Sequence, residues 1–198
     1  MRVTVGCLAL IAGLGLSSGA VSAEGLGEVE VEAKAGPQMG EYAWALRLSP
    51  HNEAAVQRLL GTTEAGLHDF VGIAPIAPHK VAILHFFSYA NQRSVDDLTA
   101  LQKLYDRYGE EGLVVLAVNL DPDKASRIDD MVEKEEITFP ILDDRFGVVA
   151  RRYVVRHMPT VYVIDGQGRV GSVREGYSED ISVVLGQEVK ALLESLEF

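Results

Sequence analysis

Thiols are almost missing from this chain. Its 198 residues include one cysteine, Cys7. A lone thiol excludes an intramolecular disulfide, a Cys-x-x-Cys redox pair and a multi-cysteine zinc site. Basic charge is also scarce: 18 Lys and Arg stand against 29 Asp and Glu, for a formal net charge of -11. Such a surface repels phosphate backbones and gives anionic membranes no basic patch to hold, so nucleic acid is not an expected partner. No apolar run reaches the ~20 residues of a membrane-spanning helix. Metal-ligand spacing is lacking at His51, His68 and His79. The acidic pairs at Asp121 and Asp123, Asp129 and Asp130, and Asp143 and Asp144 lack the alternating oxygens and central Gly of a calcium loop. They read as turns and helix caps, and neither a metal nor a cofactor is expected. Internal repeats and low-complexity tracts are absent as well.

The residues that are present describe an exported globular protein. Hydrophobic residues make up 47% of the chain, enough for a packed core and too many for a disordered one. Arg2, the apolar run Val3 to Leu16 and the small residues ending in Val21-Ser22-Ala23 form a secretory-signal pattern over 1–23, with cleavage expected after Ala23. A retained N-terminal anchor is the alternative, and only then would the protein touch a membrane. Cleavage removes Cys7 and leaves no thiol. Residues 24–40, rich in Gly and Glu, read as a spacer or an edge strand, and 41–198 as one α/β domain with its core at 80–196.

The periodicity within that domain is legible. A strand is expected within Glu41 to Leu48, a helix over Asn52 to Leu60 stopped by Gly61, and a loop from Leu67 to Pro78. Val81 to Phe87 and Leu113 to Asn119 are nearly continuous apolar runs, as expected of strands buried on both faces. Between them, Val95, Leu98, Leu101, Leu104, Tyr105 and Tyr108 recur at helical spacing. Asp123 to Glu135 reads as a charged helix, Phe139 to Leu142 as extended, and Phe146 to Tyr153 as a short helix. Thr160 to Ile164 and Arg169 to Val173 flank Asp165-Gly166-Gln167-Gly168 as a hairpin, and Ile181 to Leu196 closes the chain as a helix. This order predicts a central mixed β-sheet with helices on both faces, in which the two buried strands lie parallel and adjacent.

Three features make the order specific: the strand that enters a helix through Ser88-Tyr89-Ala90-Asn91-Gln92-Arg93-Ser94, the segment Arg156-His157-Met158-Pro159-Thr160 before a strand, and the Asp165-Gly166-Gln167-Gly168-Arg169 turn. Together they resemble the thioredoxin superfamily, most closely the TlpA/ResA-type periplasmic thiol–disulfide oxidoreductases, a redoxin group. Tyr105 and Gly109, Val118-Asn119 with Asp121, Phe139-Pro140, Tyr153 with Val154, and Pro159-Thr160 fall where that family has similar residues. The likeness covers 41–196 and is clear from Lys80 onward. It implies a thioredoxin-like fold and a cis peptide before Pro159.

The likeness fails where that family does its chemistry. Laid over Val81 to Phe87, the family's two cysteines fall on Asn91 and Ser94, so its Cys-x-x-Cys is replaced by Asn91-Gln92-Arg93-Ser94. A cysteine at a helix N-terminus is acidified by unpaired N–H groups and attacks a disulfide as thiolate. An amide cannot attack, and a Ser hydroxyl is far too weak an acid. Asn91 instead suits an N-cap, and Ser94 a solvated or locally bonded first-turn position. The resemblance further implies that the backbone before Pro159 pairs with an extended peptide. A surviving groove would then involve Tyr89, Asn91, Arg93, His157, Met158, Pro159 and Thr160, with Met158 as an adaptable apolar contact. Arg93 is a candidate anion holder at the helix start, and His157 a candidate to face the Asn91 turn. His85 is expected to be a satisfied core or interface residue, and Trp44 a packing residue.

Three functions compete on these grounds. The first is a non-catalytic peptide- or protein-binding scaffold of the cell envelope, a pseudoenzyme that binds an extended polypeptide or envelope protein in the periplasm or outside the cell. The second is a thiol–disulfide oxidoreductase or peroxiredoxin-like antioxidant enzyme, which the resemblance favours and the missing cysteines oppose. The third is a new hydrolytic site at Ser94 or His157, for which spacing shows no oriented Ser–His–acid set.

Overall fold

In the computed structural model, residues 35–72 and 79–195 are described. The leader at 1–23, the start of the 24–40 spacer, Pro75 and Pro78 lie outside them. The apolar runs become the centre of the molecule because a strand without polar alternation needs cover on both sides. Val81–Phe87 (β3) and Leu113–Asn119 (β4) are buried along their whole lengths and pair in parallel, Ile83 opposite Val115 and Phe87 opposite Asn119. Around them run Arg47–Pro50 (β1), Ala65–Gly66 (β2), Ile141–Asp143 (β5), Thr160–Asp165 (β6) and Val170–Glu175 (β7). The seven-stranded order is β2-β1-β5-β4-β3-β6-β7. β6 lies antiparallel to β3 and β7 antiparallel to β6, so the hairpin does build one edge.

Alternation along β3 and β4 divides the core. Val81, Ile83, Phe87, Val115 and Ala117 face Gln92–Tyr108 (α2), Ala125–Lys134 (α3) and Ile181–Ser195 (α5). Ala82, Leu84, Phe86, Leu116 and Val118 face Glu53–Leu60 (α1), the turn after β2 and Val148–Arg152 (α4). The expected mixed sheet covered by helices on both faces is therefore present. On the second face Tyr153 meets Trp44, Phe86 and Tyr162 ring to ring, and its hydroxyl donates to the Trp44 carbonyl. Trp44 is thus a packing residue.

The elements expected from periodicity differ from the observed ones mainly at the N-terminal side. The first strand begins at Arg47 rather than within 41–46, because Ala43 and Tyr42 are drawn to the β7 edge: Ala43 N–H donates to the Gly168 carbonyl and Tyr42 bridges Arg169. The stretch after Ala65 contains a two-residue strand and a 3₁₀ turn over Leu67–Asp69 rather than plain loop. Among the described residues no helix is long and apolar enough to cross a membrane.

Candidate functional site

The C-terminal end of β3, the start of α2 and the turn before β6 meet at one point. Polar contacts fix the turn after Phe87. The Ser88 hydroxyl donates to Asp121 Oδ2 at 2.7 Å, and the Ala90 N–H points to the same oxygen at 3.4 Å. Asp121 is oriented from β4, since its N–H donates to Asn119 Oδ1 at 2.9 Å while Asn119 Nδ2 donates to Asp143 Oδ1 at 2.7 Å. A ladder of side chains across the ends of β4 and β5 therefore sets where α2 begins. His51 continues it, with Nδ1 3.3 Å from Asp143 Oδ2 and Nε2 3.0 Å from Asp129 Oδ1.

Asn91 caps α2 as its residue type predicts. Oδ1 accepts from the N–H groups of Arg93 at 3.1 Å and Ser94 at 3.4 Å. Its other end reaches across the site: Nδ2 donates to the Met158 carbonyl at 3.2 Å. The Met158–Pro159 bond is cis, as the resemblance implied. The Pro159 carbonyl accepts from Gly176 N–H at 2.7 Å, and the Thr160 hydroxyl donates to the His157 carbonyl at 2.6 Å. Three successive carbonyls, at His157, Met158 and Pro159, thus have internal donors. Substituting Asn91 by Ala should cost about 1 kcal/mol in urea denaturation for the lost cap, and the Met158 contact adds to it.

Of the predicted site residues, Asn91, Met158, Pro159 and Thr160 come together. Arg93 joins them indirectly, because its guanidinium lies 4.9 Å from the centre of the Tyr177 ring in the loop that follows Gly176. That placement gives Arg93 a cation–π partner. Tyr89 is half-buried and turns away, into a cleft of ≈320 Å³ between α2 and α3 that Gln92, Val95, Met131 and Lys134 also line. His157 is exposed, and its ring makes no hydrogen bond among the described residues. Tyr177 was not foreseen, since its loop carries no periodic signal.

Beneath the cap lies a second unforeseen group. Ser94 and Asp97 sit on the inner face of α2 opposite His85 of β3, and all three are essentially sealed, at 0%, 1% and 0% exposure. Ser94 Oγ, Asp97 Oδ2 and both His85 ring nitrogens lack a hydrogen-bond partner. Ser94 is therefore neither solvated nor locally bonded, and His85 is not a satisfied core residue, contrary to expectation. A sealed Ser94 cannot meet a substrate, which removes the hydrolytic reading at that residue. His85 Nε2 and Asp97 Oδ2 are 3.8 Å apart, too far for a hydrogen bond. Burial pushes the Asp97 carboxyl up to about 7, with the neighbouring Asp96 charge adding to it. Burial likewise pushes the His85 imidazole down to about 3. Below about pH 7 the pair is thus neutral, carboxylic acid beside imidazole, because two desolvated charges lacking a good mutual hydrogen bond cost more than they return. Ser94→Ala, which deletes an unpaired buried hydroxyl, should raise stability by about 1 kcal/mol in urea denaturation.

Comparison with known proteins bears on this geometry. The sequence profile of the AhpC/TSA family matches residues 66–173, from the end of β2 to the middle of β7. The chain belongs to the AhpC/TSA family. As a member of that family it is a thioredoxin-superfamily redoxin domain, related to ResA-type thiol-disulfide oxidoreductases. It is 29% identical over 97 residues to the thiol-disulfide oxidoreductase ResA of Oceanobacillus iheyensis, covering 49% of this chain and 50% of that protein. With ResA of Geobacillus thermodenitrificans it shares 30% over 118 residues, which is 60% of this chain and 64% of that one. The AhpC/TSA-family chain thus spans between half and two thirds of these relatives. Among solved structures, one assigned as thiol:disulfide interchange protein DsbE from Chlorobium tepidum superposes with a TM-score of 0.65 at 24% identity, covering 79% of this chain and 99% of that one. Peroxidoxin BcpB of Mycobacterium tuberculosis gives 0.61 at 17% identity, with 82% and 99% covered. These likenesses establish the thioredoxin-like fold.

Proposed function

We propose that this redoxin-family protein is an exported, non-catalytic docking module that holds an extended polypeptide or envelope protein against the Met158–Pro159 segment. The observation that carries the reading is the residue at the start of α2. An amide stands beside the cis-proline turn at Asn91, and it is engaged with the Met158 carbonyl. The only sulfhydryl in the sequence, Cys7, lies in the signal-like segment. A dithiol exchange needs an attacking and a resolving sulfur, and the mature chain has neither. The relatives are named oxidoreductases, which supports their own chemistry. For this chain the same surface offers recognition without electron transfer.

The recognition is specific in its chemistry. The Asn91 amide and an incoming peptide N–H compete for one carbonyl, and Met158, half-buried on the docked side, supplies a polarizable apolar contact. Tyr177, its face held by Arg93, borders the same place. The signal-like residues at 1–23 support export to the periplasm or beyond. No cofactor is required.

The test is binding of a permanently unfolded, alkylated polypeptide, followed by fluorescence anisotropy. Wild-type mature protein is expected to bind it, and Met158→Glu to weaken binding at least tenfold, ~1.4 kcal/mol. Equal binding by the two proteins would contradict the groove.

A further inference from the structure

We propose that Asp97 and His85 form a proton-controlled latch under the first turn of α2, which keeps the Asn91–Met158 contact closed while the pair holds a proton and loosens it when the proton is lost. The inference rests on the docking reading for its consequence, since the latch would regulate access to that groove.

Among the described residues five buried side-chain atoms lack partners, and four of them belong to Ser94, Asp97 and His85. Native interiors leave few such groups, so a cluster at one place asks for a cause. Here all four lie directly beneath the helix start that Asn91 caps. With a proton on its carboxyl, Asp97 is a neutral group in an apolar pocket. Without it, a carboxylate stands in the core with no hydrogen bond to Oδ2 and with the His85 Nε2 atom 3.8 Å away. Among the described residues no other ion pair reaches Asp97. Asp96 on the same helix is exposed, held by Gln92 at 2.9 Å, and negative. β3 contributes only His85. β4 and β6 present Val115, Ala117, Val161 and Val163 on this side, and α5 presents Ile181 and Leu185. The charged groups of α5 are engaged elsewhere, Glu188 with Arg174 at 2.6 Å and Lys190 with Glu194 at 3.6 Å.

Relief must come from movement, and the helix determines where. From Leu98 onward α2 is pinned by Leu98 and Leu101, which are fully or almost fully buried. The turn before it carries exposed Gln92, Arg93 and Asp96 on its outer face. That first turn and a half is what can shift Asp97 toward water, and it carries Asn91 with it. The pH of this ionisation falls near neutrality, since the carboxyl is raised to about 7.

The test is an NMR titration of isotope-labelled mature protein from pH 5.5 to 8.5, with no peptide present. The expected result is one shared midpoint for the Asp97 carboxyl carbon, the Asn91 side-chain amide and the Arg93 and Ser94 N–H groups. Hydrogen exchange at these amides should rise at least tenfold beyond the ordinary base-catalysed increase, and Asp97→Asn should abolish that excess. An Asp97 carbon that titrates with the ordinary carboxylates near pH 4, or whose titration leaves the Asn91 amide unmoved, overturns the latch, and neither observation requires the variant to fold. Identical excess exchange in Asp97→Asn overturns it too. A protein that shows the linked titration and captures no polypeptide would refute docking alone.

Discussion

The double variant N91C/S94C is expected to form a disulfide on mild oxidation and to reduce insulin at a rate clearly above that of the wild type, for which the docking reading predicts no turnover. Position 91 is the cap of α2, where the N–H groups of Arg93 and Ser94 already point at the side chain. A sulfur there inherits those donors and the helix dipole, which favour its thiolate and lower its pKa below the ordinary ~8.5. Position 94 lies on the inner side of the same turn, fully buried, so a second thiol there is shielded and suited to resolve a mixed disulfide. Losing the Asn91 cap costs about 1 kcal/mol, which a domain of this size tolerates. Thiol counting before and after oxidation reads the outcome. Two thiols that both stay free show that residues 91 and 94 do not form the pair the resemblance assigns.

The second large effect is a pair of opposite pH dependences hidden in a flat wild-type profile. The Asp97 carboxyl titrates at 3.8 in an unfolded chain and about 7 in the fold, so taken alone it makes stability fall as pH rises between those values. The His85 imidazole titrates at 6.5 unfolded and about 3 folded, so taken alone it makes stability rise over that range, complete above 6.5 and lost as pH falls toward 3. Between about pH 4 and 6.5 the two slopes cancel. Folded and unfolded chains each hold one proton, on Asp97 in the first and on His85 in the second. Asp97→Asn removes one slope and should leave a protein whose stability climbs by on the order of 4 kcal/mol from pH 3 to 6.5. His85→Phe should leave the mirror image, a decline of similar size from pH 4 to 7. Urea denaturation at half-unit pH steps reads all three curves. A steep wild-type slope in the middle of that range, or parallel slopes in the two variants, would contradict the shared proton.

Much of the architecture could be read in the sequence because its strongest signals are long. The runs Val81 to Phe87 and Leu113 to Asn119 and the helical stripe between them lie where periodicity put them. The hairpin around Gly166 and Gly168 formed as its turn residues require. Short elements held by distant partners were less visible: the pairing of β1 with β5 depends on contacts ~90 residues away, which no local pattern encodes. At the site, the cap role of Asn91 was legible from residue type, whereas its bond to Met158 needs the fold to bring residues 91 and 158 together. The buried polar trio had a signal that periodicity contains. Ser94 and Asp97 continue the stripe of Leu98, Leu101 and Tyr108 backward by one turn, so a polar pair on the apolar face was predictable from spacing. His85, the one polar residue within a fully buried strand, completes the pattern.

What matters most is whether electrons pass through this protein at all. The decisive measurement is insulin reduction by chain 24–198, purified without its leader and assayed with dithiothreitol or a reductase as electron donor. The predicted result is a rate equal to the protein-free blank at every protein concentration. A turnover that scales with the amount of protein, and survives further purification, would contradict the account.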